Sequence, residues 1–254
     1  TNGAIADSEL DGKAKGFGWN VGVVVKPVDK LQIGLAYRAK VDAKVEDGTA
    51  TFSNIPMLAD PAIPGTPGQQ LAATFPNLSN GTSTTKFNVT LPLPAVATLG
   101  ISWLPSENLT INAEARYTFW SAYEELRFDF KEAVAGSTVS ASPRNYADRV
   151  TYGLGAEYKI KDLAIRAGGY YDPTPVKNGY MTAETPDADT FAGTLGFGYT
   201  INKKISIDFG SIFLSKEKRS NNIPESNTEG DLVGPSGTYK TNSFVGTLGV
   251  SFIF

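Results

Sequence analysis

The sequence predicts an all-β fold, a transmembrane antiparallel up-and-down β-barrel that has about nine strands in these 254 residues. Three observations support it: segments in which apolar and polar residues alternate, connections that are alternately short and long, and aromatic residues near the ends of the segments. Successive side chains of a β-strand point to opposite faces, so each alternating segment has one apolar and one polar face.

Nine segments alternate in this way, and most have about 9–12 residues, roughly the length that crosses a bilayer on a tilt. The nine segments are residues 19–25, 31–37, 85–105, 109–117, 150–160, 163–171, 191–201, 205–213 and 244–254. The third segment is interrupted by Pro92 and Pro94. A chain that alternates over so much of its length is typical of a sheet with two different surroundings.

The opposite faces of these segments are polar. They carry Asn20, Gln32, Arg38, Asn112, Glu114, Arg116, Arg149, Thr151, Glu157, Arg166, Asp172, Thr194, Thr200 and Asp208. In a soluble β-sandwich these side chains would face water, and in a barrel they would face the lumen. The faces alone leave both folds open.

The connections favour the barrel. Four of them are short, at residues 26–30, 104–108, 159–162 and 201–204, and they alternate with four long ones, at roughly 44–85, 128–146, 173–188 and 216–240. An outer-membrane barrel has tight periplasmic turns and extended extracellular loops, whereas a sandwich has no reason to alternate them. The aromatic residues near the strand ends fit interfacial girdles. They are Trp19, Trp103, Tyr117, Phe119, Trp120, Tyr123, Tyr170, Tyr171 and Tyr199.

Composition excludes several functions. The 23 basic and 26 acidic residues give a net charge of −3, and this balance does not indicate nucleic-acid binding. The absence of Cys and His removes thiolate metal sites, the Ser-His-Asp triad and most zinc sites. A barrel enzyme would need a Ser-Lys or acidic site, which we cannot assemble from this sequence. We therefore predict no enzyme activity, no cofactor and no metal.

The last strand carries a further signal. Phe244, Leu248, Val250, Phe252 and Phe254 share one face of it, and the chain ends on the last of these. A final strand with alternating apolar residues and a terminal Phe is typical of barrels delivered to the outer-membrane insertion machinery. We predict a location in the bacterial outer membrane, with lipids and lipopolysaccharide as further partners.

Several motifs in order along residues 16–254 resemble the FadL/TodX (OMPP1) family, whose members transport long-chain fatty acids and other hydrophobic compounds across the outer membrane. They are the segments "GFGWNVGVVVKPVDKLQIGLAYRAKVDAKVEDG", "LPLPAVATLGISW", "NAEARYTFWSAYEEL" and "LAIRAGGYYDPTPVKNGYMTAETPDADTFAGTLGFGY". Each motif is weak alone, and their order gives the resemblance its strength.

The resemblance implies a 14-stranded barrel with an N-terminal hatch in its lumen. It also implies capture of hydrophobic substrates in an apolar extracellular groove, an internal site and sideways exit into the bilayer. This sequence has no recognisable hatch and about five strands fewer. We therefore expect residues 1–254 to be the C-terminal part of a barrel, completed by a missing N-terminal segment or a complementary fragment.

Two sets of residues are candidates for ligand binding. The longest connection is unusually apolar, and we predict a capture groove built on Ile55, Met57, Leu58, Ile63, Leu71 and Phe75. The alternative is that these side chains pack the loop onto the barrel rim. The second set, Arg144, Arg149 and Arg166, contains possible partners for a substrate carboxylate. The alternative is a structural network that pairs Arg116, Arg149 and Arg166 with Glu114, Glu157 and Asp208.

The predicted function is passive uptake of hydrophobic compounds, either long-chain fatty acids or aromatic hydrocarbons. The alternatives are a non-specific or structural barrel without a dedicated ligand, and a soluble β-sandwich adhesin. Glu184, Asp187 and Asp189 lack the spacing of an EF-hand loop, so we predict a solvated loop there rather than a Ca²⁺ site.

Overall fold

The computed structural model describes residues 7–55, 74–181, 186–202, 204–221 and 237–252. In chain order its strands are β1 (Asp7–Asp11), β2 (Ala14–Lys15), β3 (Asn20–Val28), β4 (Leu31–Arg38), β5 (Val41–Ser53), β6 (Ser83–Leu93), β7 (Val96–Ser106), β8 (Leu109–Thr118), β9 (Glu125–Val134), β10 (Ser137–Pro143), β11 (Arg149–Ile160), β12 (Leu163–Asp172), β13 (Thr190–Ile201), β14 (Ile205–Lys216), β15 (Arg219–Asn221), β16 (Gly237–Tyr239) and β17 (Asn242–Phe252). A short 3₁₀ helix, Trp120–Ala122, precedes β9. In these ranges no helix has the length and hydropathy of a membrane span.

The chain divides into two compact units, and the larger one contains a nine-stranded sheet. This unit comprises residues 18–40, 94–122 and 145–254. Its strand order is β17-β14-β13-β12-β11-β8-β7-β4-β3, with every neighbouring pair antiparallel. The all-β antiparallel prediction is confirmed, and each of the nine predicted segments contributes a strand. The four predicted short connections are all tight turns between neighbours in the sheet, such as the one between β11 and β12.

The prediction for residues 85–105 was wrong in part, because these residues do not form one interrupted strand. The chain leaves one sheet after Leu93 and enters the nine-stranded sheet at Val96. Pro94 lies between the two strands, and its ring removes the backbone N–H that a continuous ladder would need at that position. Only the second half of the segment therefore belongs to the nine-stranded sheet.

The nine-stranded sheet leaves its apolar face uncovered within the described residues. Leu195 on β13 is 57% exposed and Leu248 on β17 is 74% exposed. Phe244, Val250 and Phe252, which complete the described part of the predicted insertion signal, are exposed on the same face as Leu248; Phe254 lies outside the described residues. So much exposed apolar surface fits a strand face that meets lipid rather than water.

The smaller unit contains a six-stranded sheet, which the sequence analysis did not predict. It comprises residues 1–17, 41–93 and 123–144, and its order is β1-β5-β6-β9-β10, with β2 also paired to β5. Most of β5 and β9 and all of β10 lie in two segments, 44–85 and 128–146, that were predicted to be long connections. One face buries an aromatic core in which the ring of Phe87 packs edge-on against those of Phe128 and Phe130.

Candidate functional site

The polar face of the nine-stranded sheet forms an open trough of 990 Å³. Polar side chains such as Gln32, Asn112 and Thr151 line it, together with the ring of Tyr170. Glycines 34, 100, 153, 155 and 168 form much of its floor. The alternation of the sequence places these residues on one face, and the glycines leave room above the backbone.

The floor of the trough is flat because one register row crosses six strands with few side chains. From β3 to β12 this row runs Val24, Gly34, Gly100, Glu114, Gly153 and Tyr170. A Cβ added to Gly100 would find no atom within 4 Å, so the space above it is open. The N–H and C=O groups of the exposed backbone are already hydrogen-bonded in the sheet. A molecule that lies against them therefore does not have to supply hydrogen-bonding groups.

Four charged side chains form a row near the short-turn end of the same face, and we call Lys159, Glu157, Arg166 and Asp208 the charge ladder. Arg166 lies at its centre: its Nε is 2.6 Å from Glu157 Oε2 and its Nη1 is 2.9 Å from Asp208 Oδ1. Lys159 Nζ is 3.3 Å from the other oxygen of Glu157, and Ser206 donates a hydrogen bond of 2.9 Å to Asp208. Both oxygens of each carboxylate are thus engaged.

A gap without side chains allows the ladder to cross one strand. Arg166 is on β12 and Asp208 is on β14, so the guanidinium passes over β13. The residues beneath it are Gly196 and Gly198. A Cβ at Gly198 would stand 2.5 Å from Asp208 Oδ1 and 3.0 Å from Arg166 Nη1. The ladder therefore depends on the absence of a side chain at this position.

Two of the three arginines make ion pairs of the kind named in the structural alternative. Arg116 pairs with Glu114 at 2.6 Å, and Arg166 pairs with Glu157 and Asp208. Arg149 instead donates to backbone carbonyl oxygens: its Nε lies 2.8 Å from that of Thr174 and its Nη1 3.0 Å from that of Asp148. Arg144, the other predicted carboxylate partner, is buried in the smaller unit.

Of the six residues predicted to form a capture groove, two are described. Ile55 is 3% exposed and Phe75 is 8% exposed, and the ring of Phe75 packs against that of Phe52 at 5.5 Å. Both side chains are therefore packed inside the smaller unit rather than exposed. Met57, Leu58, Ile63 and Leu71 lie outside the described residues.

The connection between β12 and β13 carries a polar cluster that the sequence analysis missed. Thr174 donates from its N–H to Asp189 at 2.9 Å and from its hydroxyl to Asp187 at 2.6 Å. Lys216 pairs with the other oxygen of Asp187 at 2.5 Å. The expectation of a solvated loop was wrong for Asp187 and Asp189, because both carboxylates are bonded within the fold. Glu184 lies outside the described residues.

Arg219 also bonds to this connection. Its Nη1 donates to the carbonyl oxygen of Asp187 at 2.9 Å, and its Nη2 donates to that of Val176 at 2.6 Å. In the same connection the side chains of Val176 and Met181 are buried. The described parts of this connection are therefore a packed structure at the long-connection end of the sheet. Within the described ranges, no group of carboxylates is arranged to hold a metal ion.

Asp148, just before β11, bonds to the end of β8 and to the 3₁₀ helix that follows it. Its carboxylate accepts the backbone N–H of Ser121 at 2.8 Å and the hydroxyl of Tyr117 at 3.0 Å. Partial burial acts to raise the pKa of Asp148, but these two donors and the charge of Arg149 together outweigh it, so that the pKa lies below its ordinary value.

The family description "Outer membrane protein transport protein (OMPP1/FadL/TodX)" matches residues 3–254 of the chain. The chain belongs to this family. The predicted FadL/TodX resemblance, the β-barrel fold class and the outer-membrane location are thereby confirmed. The named relatives and structural neighbours are membrane and transport proteins, which agrees with the prediction that the chain is not an enzyme.

Two relatives illustrate how similar this FadL/TodX chain is to other members and how much of their length it covers. A 47 kDa outer membrane protein of Pasteurella multocida is 30% identical over 214 residues, which are 84% of this chain and 46% of the relative. The long-chain fatty acid transport protein of Escherichia coli K12 is 25% identical over 213 residues, which are 82% of this chain and 43% of the relative. The chain thus spans less than half the length of these relatives.

The chain also covers about half the length of two solved structures. The crystal structure of a Pseudomonas aeruginosa FadL homologue aligns with a TM-score of 0.68 and 25% identity, covering 92% of this chain and 50% of that one. The toluene transporter TbuX of Ralstonia pickettii aligns with a TM-score of 0.54 and 22% identity, covering 97% of this chain and 51% of that one. The second likeness is one of fold alone.

Proposed function

We propose that the chain forms part of an outer-membrane barrel through which hydrophobic compounds, fatty acids or aromatic hydrocarbons, cross passively. The observation that carries this proposal is the trough, where a glycine floor lies beside Tyr170 and the neighbouring Arg116 is already paired with Glu114. Membership of a family described as outer-membrane transport proteins supports it, as does the relative named as a fatty acid transporter.

The physics of the cargo fits this wall. An apolar molecule gains roughly 25 cal/mol for each Å² that it removes from water. The backbone of the glycine floor is already hydrogen-bonded within the sheet, so this part of the wall exposes few groups whose hydration the cargo would have to remove. Passage then needs no energy source, because the cargo partitions from water to the wall and onward to lipid.

A capture groove on the longest connection stays part of the proposal. Met57 and Leu58 would supply adaptable apolar contacts, together with Ile63 and Leu71. Because Ile55 and Phe75 are buried, they would support such a groove rather than line it. Substituting Met57 and Leu58 with Asp should lower hydrophobic uptake severalfold, and unchanged uptake would remove the groove from the account.

We also propose that further strands complete the barrel. Among the described residues, β3 and β17 each pair along one edge only, and an open edge in lipid leaves backbone groups without partners. Native mass spectrometry of the protein extracted in detergent from its own membrane tests this. A mass near that of the 47 kDa relative, or a second fragment, supports the proposal. A lone 254-residue chain contradicts it.

The uptake proposal is tested with the intact protein in liposomes, using toluene as the hydrophobic probe and arabinose as the polar one. Gly100→Trp should block the trough and reduce toluene uptake about tenfold, since the space above Gly100 is open. Leu99→Trp, one residue away on the opposite face, is the matched control and should leave uptake unchanged.

The alternative of a non-specific barrel predicts a different pattern. Arabinose would then enter as readily as toluene, and Gly100→Trp would slow both equally. Toluene uptake that exceeds arabinose uptake in the unaltered protein and that falls selectively in Gly100→Trp supports the dedicated passage. Toluene uptake no faster than in empty liposomes would contradict the proposal.

A further inference from the structure

The charge ladder is electrically balanced, because Lys159 and Arg166 carry two positive charges and Glu157 and Asp208 carry two negative ones. Arg166 is held from both sides, at 2.6 Å and 2.9 Å, and its side chain spans the width of β13. All four side chains retain access to solvent, with 22–59% of their surface exposed. They are therefore within reach of a molecule on that face of the sheet.

The absence of a side chain at Gly198 lets Arg166 lie across the sheet. The guanidinium crosses β13 where Gly198 leaves the wall bare, and a single methyl group there would meet the ends of both Arg166 and Asp208. Those ends belong to flexible side chains, which would turn away and leave the backbone in place. A side chain at position 198 would thus displace the contact between Arg166 and Asp208 while the strand stays in place.

We propose that Glu157 and Asp208 are specificity-determining residues, which occupy Arg166 so that this wall selects neutral hydrophobic cargo over carboxylates. The inference rests on the proposed function and narrows its substrate class. A free arginine would bind an incoming carboxylate through paired N–H donors. Here the same guanidinium already holds two carboxylates. A third anion would be repelled by these carboxylates, and the charge ladder, which has no net charge, would not attract it.

A carboxylate-binding site would differ from this wall in the pairing of its arginine. A wall that recruits fatty acids through Arg166 would leave the cation at least partly unpaired until the acid arrives. In this structure the Nε and Nη1 donors of Arg166 both point to resident carboxylates. The sequence-based expectation that Arg166 is a partner for a substrate carboxylate is therefore replaced by one in which Glu157 and Asp208 exclude that carboxylate.

The test compares two probes of equal chain length, dodecanol and dodecanoate, with the intact protein in liposomes at a pH near 8, where the acid is ionised. The readout is the dodecanoate concentration that halves dodecanol uptake, because it reports binding whether the acid passes through or is trapped. In Glu157→Gln combined with Asp208→Asn, this concentration should fall about tenfold, since one charge-assisted contact becomes available to the probe.

Gly198→Ala displaces the contact between Arg166 and Asp208 by an independent route. It should lower the half-inhibiting concentration by only about threefold, because both acids remain near Arg166. Gly193→Ala is its matched control: it adds the same methyl group to the same strand, on the opposite face and with no atom within 4 Å, and should leave the half-inhibiting concentration unchanged. Adding Arg166→Gln to the double variant should restore the original value, which a merely structural role of the two acids would not predict.

Three outcomes overturn the inference. One is an unchanged half-inhibiting concentration in both the double variant and Gly198→Ala. Another is strong inhibition of the unaltered protein by dodecanoate that Arg166→Gln abolishes, because Arg166 would then be a carboxylate partner. The third is unaltered protein that takes up no dodecanol beyond empty liposomes, which contradicts the proposed function itself and removes the inference with it.

Discussion

The two sheets of this chain use the same alternation of apolar and polar residues in opposite ways. In the nine-stranded sheet the apolar face is uncovered, as Leu195 at 57% exposure shows, and the polar face forms a trough. In the six-stranded sheet the apolar face packs aromatic rings together, and Phe87 at their centre is 4% exposed. Alternation therefore fixes which residues share a face, and the surroundings decide whether that face meets lipid or a protein core.

The comparison also separates two sources of stability. The nine-stranded sheet is held by backbone pairing along its strands, which is costly to break where no water can replace the bonds. The six-stranded unit is held by buried aromatic area, as a small soluble domain would be. Substitutions on the apolar face of each sheet should therefore act through different mechanisms, and the following predictions use that difference.

The largest effect is expected in the six-stranded unit. Phe87→Ala removes the ring that packs against Phe128 and Phe130, and it should destabilise this unit by about 3–5 kcal/mol through lost burial and a cavity. Hydrogen exchange measured by mass spectrometry should show faster exchange in β5, β6 and β9.

The neighbouring substitution Lys86→Ala is the control, because the side chain of Lys86 is exposed and its Nζ donates to the hydroxyl of Thr49. It should change stability by less than about 0.5 kcal/mol. Equal exchange in the two variants would mean that the aromatic face does not hold this unit together.

A smaller effect is expected on the apolar face of the nine-stranded sheet. Leu195→Arg places a charge in the middle of β13, where lipid would surround it, and should destabilise the folded barrel by about 2–4 kcal/mol. Thr194→Arg is the matched control on the trough face and should cost far less, because water reaches it. Urea unfolding in detergent micelles and in liposomes measures both, and equal losses would argue against lipid at Leu195.

The smallest effect concerns Asp148 and depends on pH. Because the folded-state pKa of Asp148 lies below its ordinary value, its carboxylate stabilises the fold above that ordinary value, and this stabilisation is lost as pH falls through the folded-state pKa. Asp148→Asn should lower stability by about 1 kcal/mol near neutral pH and by less in acid. The midpoint of thermal unfolding, followed by heat-dependent gel mobility from pH 7 downward, should converge for the two proteins; a constant difference would contradict the assignment.

The sequence predicted the nine-stranded sheet because its strands keep one phase from end to end. It did not predict the six-stranded sheet, and β5 shows why. Val41, Ala43 and Val45 share one phase, but a bulge between Val45 and Gly48 shifts the pattern so that the buried Ala50 belongs to the other. Asp47, with φ of 54°, lies in that bulge. In β9 the alternation is intact, and that signal was overlooked within a segment predicted to be a connection.

The candidate site was predictable to the same extent. Pairing of Arg166 with Glu157 and Asp208 follows from their shared face, and the sequence analysis included it. The role of Gly198 needs the register between β12, β13 and β14, which alternation does not supply. The bonds from Thr174 to Asp187 and Asp189 depend on how a connection folds back, and no periodic pattern encodes that path.

The most direct test of the central claim, that one face of the nine-stranded sheet meets lipid and the other lines a passage, is a spin-label scan along β13. The chain has no cysteine, so single cysteines at positions 191–199 can each carry a label. We expect odd positions to collide more with oxygen dissolved in lipid and even positions to collide more with a water-soluble nickel complex, with a period of two. In-phase accessibility to both reagents, or accessibility to the nickel complex at every position, would contradict the account.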